Sequence, residues 1–214
     1  MSERKGYDET AGVEPDALEA LAGKPGHVCP WWVAYLFDNP LRGRVHPPQE
    51  LLAPYVREGM RVLDVGCGLG HFTLGMARMV GDAGRVTAVD VQARMLQLML
   101  RRARRAGLAA RIEAVQCAPR ELGVPGPFDF ALASNMLHES PDPERLLGLI
   151  RAALRPGGRL LAMEPSGHVD AARFEAELDM ARRAGFALEG RPDIRRERSA
   201  VLLRPAEDAE GKQA

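Results

Sequence analysis

The sequence predicts an α/β chain, a doubly wound sheet with helices on both faces, and three observations carry that expectation. Arg61-Val62-Leu63-Asp64-Val65 reads as a strand buried on both faces and runs directly into glycines at alternate positions, Gly66, Gly68 and Gly70. Strand-like and helix-like stretches then alternate five times up to Met163, the pattern of a parallel sheet with crossover helices. Two last apolar stretches, Phe186 to Glu189 and Ala200 to Leu203, are separated only by the polar segment 190–199. With 214 residues and 46% hydrophobic content, there is material for one sizeable domain and an appendage, not for two domains.

Composition narrows the function classes. Basic and acidic residues number 29 each, so no global field draws the chain to nucleic acid or to an anionic membrane. Three cysteines, Cys29, Cys67 and Cys117, form neither an even framework nor a Cys-x-x-Cys pair, which suits a reducing compartment. The first 30 residues are rich in acids and lack a continuous apolar core, unlike a secretory signal. No stretch approaches the roughly 18 apolar residues of a membrane helix. A cytoplasmic protein without a membrane span is expected.

In chain order, residues 1–26 read as a mobile amino-terminal segment. Residues 27–47 hold both tryptophans, and Cys29, Trp31, Trp32 and Tyr35 are candidates for the wall or lid of a substrate pocket, since aromatic rings supply large, shape-specific apolar surface. The alternative is a helix fixed to the sheet by aromatic packing. His27-x-Cys29 offers two metal ligands without a visible third, so no metal is expected. Gln49 to Tyr55 reads as a short helix leading to the first strand.

Past that strand, the three glycines permit a tight turn and close approach of a ligand to the backbone. Phe72, Leu74, Met76 and Met79 begin a helix whose first-turn N–H groups suit an anionic or carboxylate-bearing ligand. Arg85 to Asp90 is a second strand ending in an acid 20 residues past Gly70, where ribose hydroxyls are bound in such sheets; the alternative is that Asp90 caps the next helix. That helix, Gln92 to Ala106, puts Met95, Leu96, Met99 and Leu100 inward and Arg94, Arg101, Arg102, Arg104 and Arg105 outward or at its end. Cations in a last turn are favoured by the helix dipole, so these arginines do not require a nucleic-acid partner. Arg111 to Gln116 and Phe128 to Ala133 are the third and fourth strands, the latter running into Ser134-Asn135-Met136-Leu137-His138-Glu139. Pro143 to Leu154 is an amphipathic helix that Arg155-Pro156-Gly157-Gly158 ends before a fifth strand, Arg159 to Met163. Asp170 to Ala184 is the next helix, and residues 205–214 form a charged tail expected to be disordered.

The glycine spacing departs from the Gly-x-Gly-x-x-Gly of dinucleotide sites, and an acid, Asp64, precedes it by two residues. Asp64-x-Gly66-x-Gly68-x-Gly70 resembles the first motif of the class I S-adenosylmethionine-dependent methyltransferases. Val86 to Asp90, Phe128 to Glu139 and Leu154 to Leu160 follow in the order that family shows, so the likeness covers residues 48–204, and it points to the small-molecule branch that includes quinone and sterol C-methyltransferases. The resemblance implies a Rossmann-like sheet closed by an antiparallel strand pair, and S-adenosylmethionine as cofactor. By position, Gly66, Cys67, Gly68 and Gly70 line its methionine part with Asp64 near the amino group, Asp90 takes the ribose hydroxyls and Val91 packs on the adenine, while Asn135, after the fourth strand, is a further cofactor-binding candidate. Cys117-Ala118-Pro119 stands where the family usually has Gly-Asp-Ala, which leaves only backbone groups of Cys117 and Ala118 for the adenine edge.

Methyl transfer from a sulfonium is an in-line displacement that asks the protein mainly to position and desolvate. A base is needed only where the acceptor loses a proton. His138, with an unperturbed pKa of about 6.5, is then the candidate, with Glu139 beside it and Glu164 at the neighbouring strand end on the acceptor side. As a solvated turn histidine, His138 would have no such role. A small-molecule acceptor is the expected partner, and a homodimer stays open. A cofactor-binding sensor without turnover and a nicotinamide oxidoreductase are the competing readings.

Overall fold

A computed structural model describes residues 46–206. The short helix α1 (Pro48–Leu52) precedes β1 (Arg61–Val65), α2 (His71–Met79), β2 (Arg85–Asp90) and α3 (Ala93–Arg105). Next come β3 (Ile112–Gln116), β4 (Phe128–Ser134), α4 (Pro143–Ala153), β5 (Leu154–Pro165), α5 (Ala171–Arg183), β6 (Ala187–Gly190) and β7 (Glu197–Leu203), with 3-10 turns at Ala109–Arg111 and Leu137–Glu139. The seven strands form one sheet in the order β3-β2-β1-β4-β5-β7-β6, in which β7 runs antiparallel to both its neighbours. All other pairings are parallel.

Alternation along the strands sorts the core into two layers. Val62, Val86, Phe130, Leu132, Leu161 and Met163 pack under Leu52, Phe72, Met76, Leu96 and Met99 of the first three helices. Leu63, Val65, Ala131, Ala133, Leu160 and Ala162 meet Leu147, Ile150, Phe174 and Leu178 of α4 and α5 on the opposite face. Asp64 shares the face of Val62, and Glu164 shares the face of Leu160 and Ala162, so the two acids point to opposite sides of the sheet.

Two expectations need correction. No helix joins β3 to β4 among the described residues, so strand and helix do not alternate five times without interruption. The fifth strand begins at Leu154, not Arg159. Phe128 pairs with Leu154 and Phe130 with Arg159, so the Arg155-Pro156-Gly157-Gly158 stretch bulges within the strand, and the Gly157 amide donates to the Arg204 carbonyl and the Arg204 amide to that of Gly158. The amino-terminal segment, most of residues 27–47 and the end of the expected tail lie outside the described residues.

Candidate functional site

Strand β1 has β2 on one side and β4 on the other, so the chain reverses its direction of winding there, and ligands of open α/β sheets bind at the carboxyl ends of such strands. The loop after β1 is held mainly by backbone groups. The amides of Gly66 and Cys67 both donate to the Val89 carbonyl, at 2.9 and 3.0 Å. Gly70, with φ of 82°, starts α2, and a Cβ there would collide with Met99 and Leu74. Gly68, with φ of 51°, has open space where a Cβ would stand. The two glycines thus serve different needs, close packing at Gly70 and backbone shape with ligand access at Gly68. Arg102, expected outward or at the end of its helix, donates to the Leu69 carbonyl at 2.8 Å and braces the loop from α3.

Asp90 closes the same loop from the end of β2. One carboxylate oxygen accepts from the Gly68 amide and the other from the Gln92 amide, each at 2.9 Å. The cap position of α3 is Gln92, so Asp90 is not the helix cap. Burial pushes the Asp90 carboxyl above its usual range, and the amides of Gln92, Gly68 and Val91 oppose that shift. An ionised carboxylate has about four acceptor sites, so both oxygens keep capacity for a ribose diol. Asp64 lies beneath the loop, buried, where the Thr73 hydroxyl donates to it at 2.5 Å. The Cys67 thiol is buried and pushed well up by desolvation, so it stays neutral.

On the adenine side, the Cys117 amide donates to the Asp90 carbonyl at 3.2 Å, while Ala118 is exposed and Val91 half-buried. The Gln116 amide group donates to the Val91 carbonyl at 3.1 Å. Across the crevice, Asn135 adopts φ of 56°, its amide donates to the Met163 carbonyl, and its buried Oδ1 has no hydrogen-bond partner among the described residues. A buried acceptor of that kind is costly unless a ligand or water donor meets it.

The turn after β4 is built differently. His138 is buried, not solvated, and its Nδ1 bonds Glu164 Oε2, while the Leu137 amide donates to Glu164 Oε1 at 2.8 Å. Glu139 Oε1 lies 3.9 Å from His138 Nε2. Burial pulls the His138 pKa down, but the hydrogen bond and charge of Glu164, helped by Glu139, outweigh it and leave the imidazole more basic than usual. Arg173 of α5 donates to the His138 carbonyl at 3.0 Å and stands 3.9 Å from Glu177.

The structure therefore gathers Gly66, Cys67, Gly68, Gly70, Asp90, Val91 and Cys117 at the ends of β1, β2 and β3, and Asn135, His138, Glu139 and Glu164 at the ends of β4 and β5. Cys29, Trp31, Trp32 and Tyr35 lie outside the described residues. Sequence reasoning missed Thr73, Arg173 and Glu177. A signal existed for Glu177, which interrupts the apolar stripe Phe174, Leu178 and Ala181 of α5. Among the described residues no cluster of metal-ligating side chains occurs, and no helix is long and apolar enough to cross a membrane.

This sheet order and crevice are those of the class I methyltransferases, and a family model described as a methyltransferase domain matches residues 56–190. The chain belongs to that family, the class I S-adenosylmethionine-dependent methyltransferases. It is 38% identical over 110 residues to the ubiquinone/menaquinone biosynthesis C-methyltransferase UbiE of Enterobacter sp. (strain 638), a match covering 51% of this chain and 44% of that one. The aligned region thus spans less than half the length of that relative. A methyltransferase of Aquifex aeolicus described as SAM-dependent superposes with a TM-score of 0.73 at 23% identity, over 81% of this chain and 97% of that one. The [4+2]-cyclase SpnF superposes with a TM-score of 0.62, also at 23% identity, over 74% and 80%. These two structures share the fold.

Proposed function

We propose that the chain transfers the methyl group of S-adenosylmethionine to a small-molecule acceptor in the cytoplasm. The observation that carries this reading is the Asp90 carboxylate, which holds the Gly68 and Gln92 amides and still has acceptor capacity at the mouth of the crevice. The donor set fits the cofactor. Asp90 would take the ribose hydroxyls, Val91 would flank the adenine, and backbone groups of Cys117 and Ala118 would meet its edge. Gly66, Cys67, Gly68 and Gly70 would line the methionine part, with Asp64 behind them, and Asn135 Oδ1 is a ready acceptor for the ammonium group. The cofactor supplies a methyl carbon activated by sulfonium charge, and the protein supplies orientation and exclusion of water.

The naming of the UbiE relative as a quinone-pathway C-methyltransferase points to a hydroquinone-like aromatic acceptor. Methylation at ring carbon releases a proton, and His138, made more basic by Glu164, is the base we assign to it, with Glu139 flanking the ring. Cys29, Trp31, Trp32 and Tyr35 are assigned to the acceptor wall, and Glu164 to the acceptor side through His138.

Calorimetry with S-adenosylmethionine and with NAD, followed by assay of demethylated cofactor over a panel of hydroquinones and phenols, tests the reading. Binding of the first ligand with turnover is the expected result. Binding without turnover on any acceptor would make the chain a sensor or partner subunit, and binding of NAD alone would overturn the cofactor assignment.

A further inference from the structure

Where β4, β5 and α5 meet, five charged side chains share one partly buried space. Facing His138 are Glu164 from β5, Glu139 from its own turn, Arg173 from α5, and the His168 ring after β5, 6.4 Å away between centroids. Glu177 completes the group from α5, facing Glu164, Arg173 and His138. Helix α4 adds Pro143 to the surrounding wall and no charge.

The carboxyl groups of Glu139, Glu164 and Glu177 outnumber the basic groups of His138 and Arg173 by one, which leaves one excess acidic charge in this space. The geometry points to Glu177 as its seat. Glu164 has both oxygens engaged, by the Leu137 amide and the His138 ring. Arg173 spends a hydrogen bond on the His138 carbonyl, and its Nε is 3.9 Å from Glu177 Oε1, too far for a hydrogen bond. Glu177 Oε2 is buried and has no hydrogen-bond partner among the described residues, although the side chain is only 6% exposed. Yet Glu177 lines an open recess of about 200 Å³ shared with His138, Ser140, Pro141 and Met180, through which water can deliver or remove a proton.

We propose that Glu177 is a positioning residue that exchanges one proton with water in this recess and thereby sets how tightly His138 holds its own. The proposal rests on His138 being the base of the reaction. Burial, with the charge of Glu164, pushes Glu177 up to about 7, so the exchange falls in the working pH range. In the proton balance, an acceptor proton goes to His138 Nε2, because Nδ1 is committed to Glu164, while the Glu177 carboxyl releases its own proton separately to recess water. Once Glu177 is ionised, its negative charge favours the imidazolium. Rising pH therefore strips Glu177 while strengthening the hold of His138, and the histidine titrates over a broadened range.

Titration of the histidine-labelled 214-residue chain by NMR between pH 5 and 9, in wild type, Glu177→Gln and Glu177→Asp, tests this without requiring turnover. Expected are a broadened His138 curve in wild type and in Glu177→Asp. In Glu177→Gln the curve should be a single-proton titration displaced to lower pH by about half a unit, which is about threefold in the proton equilibrium. The acid limb of kcat should move with it while KM stays unchanged. Superimposable wild-type and Glu177→Gln curves would overturn the proposal, as would a wild-type curve that is itself single-proton, which decides the matter even where the glutamine variant does not fold. A displaced His138 curve in a protein without turnover would sink the base role and leave the link between the two residues standing. Normal turnover with superimposed curves would sink the link alone.

Discussion

At the carboxyl edge of the sheet, the loop after β1 and the turn after β4 lie side by side and are made of different materials. The first is shaped by backbone amides, glycine dihedrals and one carboxylate that ties Gly68 to Gln92. The second is a knot of side chains, His138 and Glu164 joined in the interior with Arg173 and Glu177 packed against them. A backbone cradle changes little when a side chain is exchanged, unless that side chain is the tie itself. A buried charged pair leaves an orphan whichever half is removed. The two regions should therefore fail in different ways, the first in ligand affinity and the second in stability and proton affinity.

The largest effect should come from Glu164→Ala, which leaves the Leu137 amide and the His138 ring unpaired in the interior. A loss of about 3 to 5 kcal/mol in urea unfolding is expected, and a loss below about 1 kcal/mol would erase the contrast. Asp90→Ala should weaken S-adenosylmethionine binding by about 1 to 3 kcal/mol, measured by calorimetry. Unchanged affinity would remove Asp90 from the ribose role. Glu177→Gln should raise stability at pH 8 by about 1 to 2 kcal/mol, a range reduced for water reaching the recess. The sign follows from a folded pKa of about 7 against 4.5 for the free group. The protonated carboxyl favours the fold below pH 4.5, and that contribution is lost as pH rises through 7, so the advantage of glutamine should vanish in thermal melts at pH 4. Smallest of all, Glu189→Gln breaks the exposed pair with Arg159 and should shift unfolding by less than about 1 kcal/mol.

The same contrast decides what the sequence could disclose. The Asp64 to Gly70 motif and Asp90 were legible because their work is done by neighbours in the chain and by glycine at fixed offsets. The succession of strands along the chain followed from apolar runs, and the antiparallel closing pair from a polar turn in place of a crossover helix together with the family resemblance; the order in which the strands lie side by side did not. His138 was visible as a residue, but its burial was not, because Glu164 lies 26 residues away and meets it only when β4 and β5 pair. Arg155 to Gly158 read as a helix stop, since Pro and Gly punctuate locally; the bulge inside β5 depends on Arg204, which is remote in sequence. Glu177 belongs to no motif in the sequence, although its place among apolar neighbours on α5 is an available sign.

The grip of Asp90 on the Gly68 amide has a practical consequence. A single main-chain proton is bonded to the carboxylate assigned to the ribose, so its chemical shift and its rate of exchange with deuterium should follow both acidification and ligand arrival. One glycine resonance can then serve as a spectroscopic gauge of the crevice, readable before any acceptor is known.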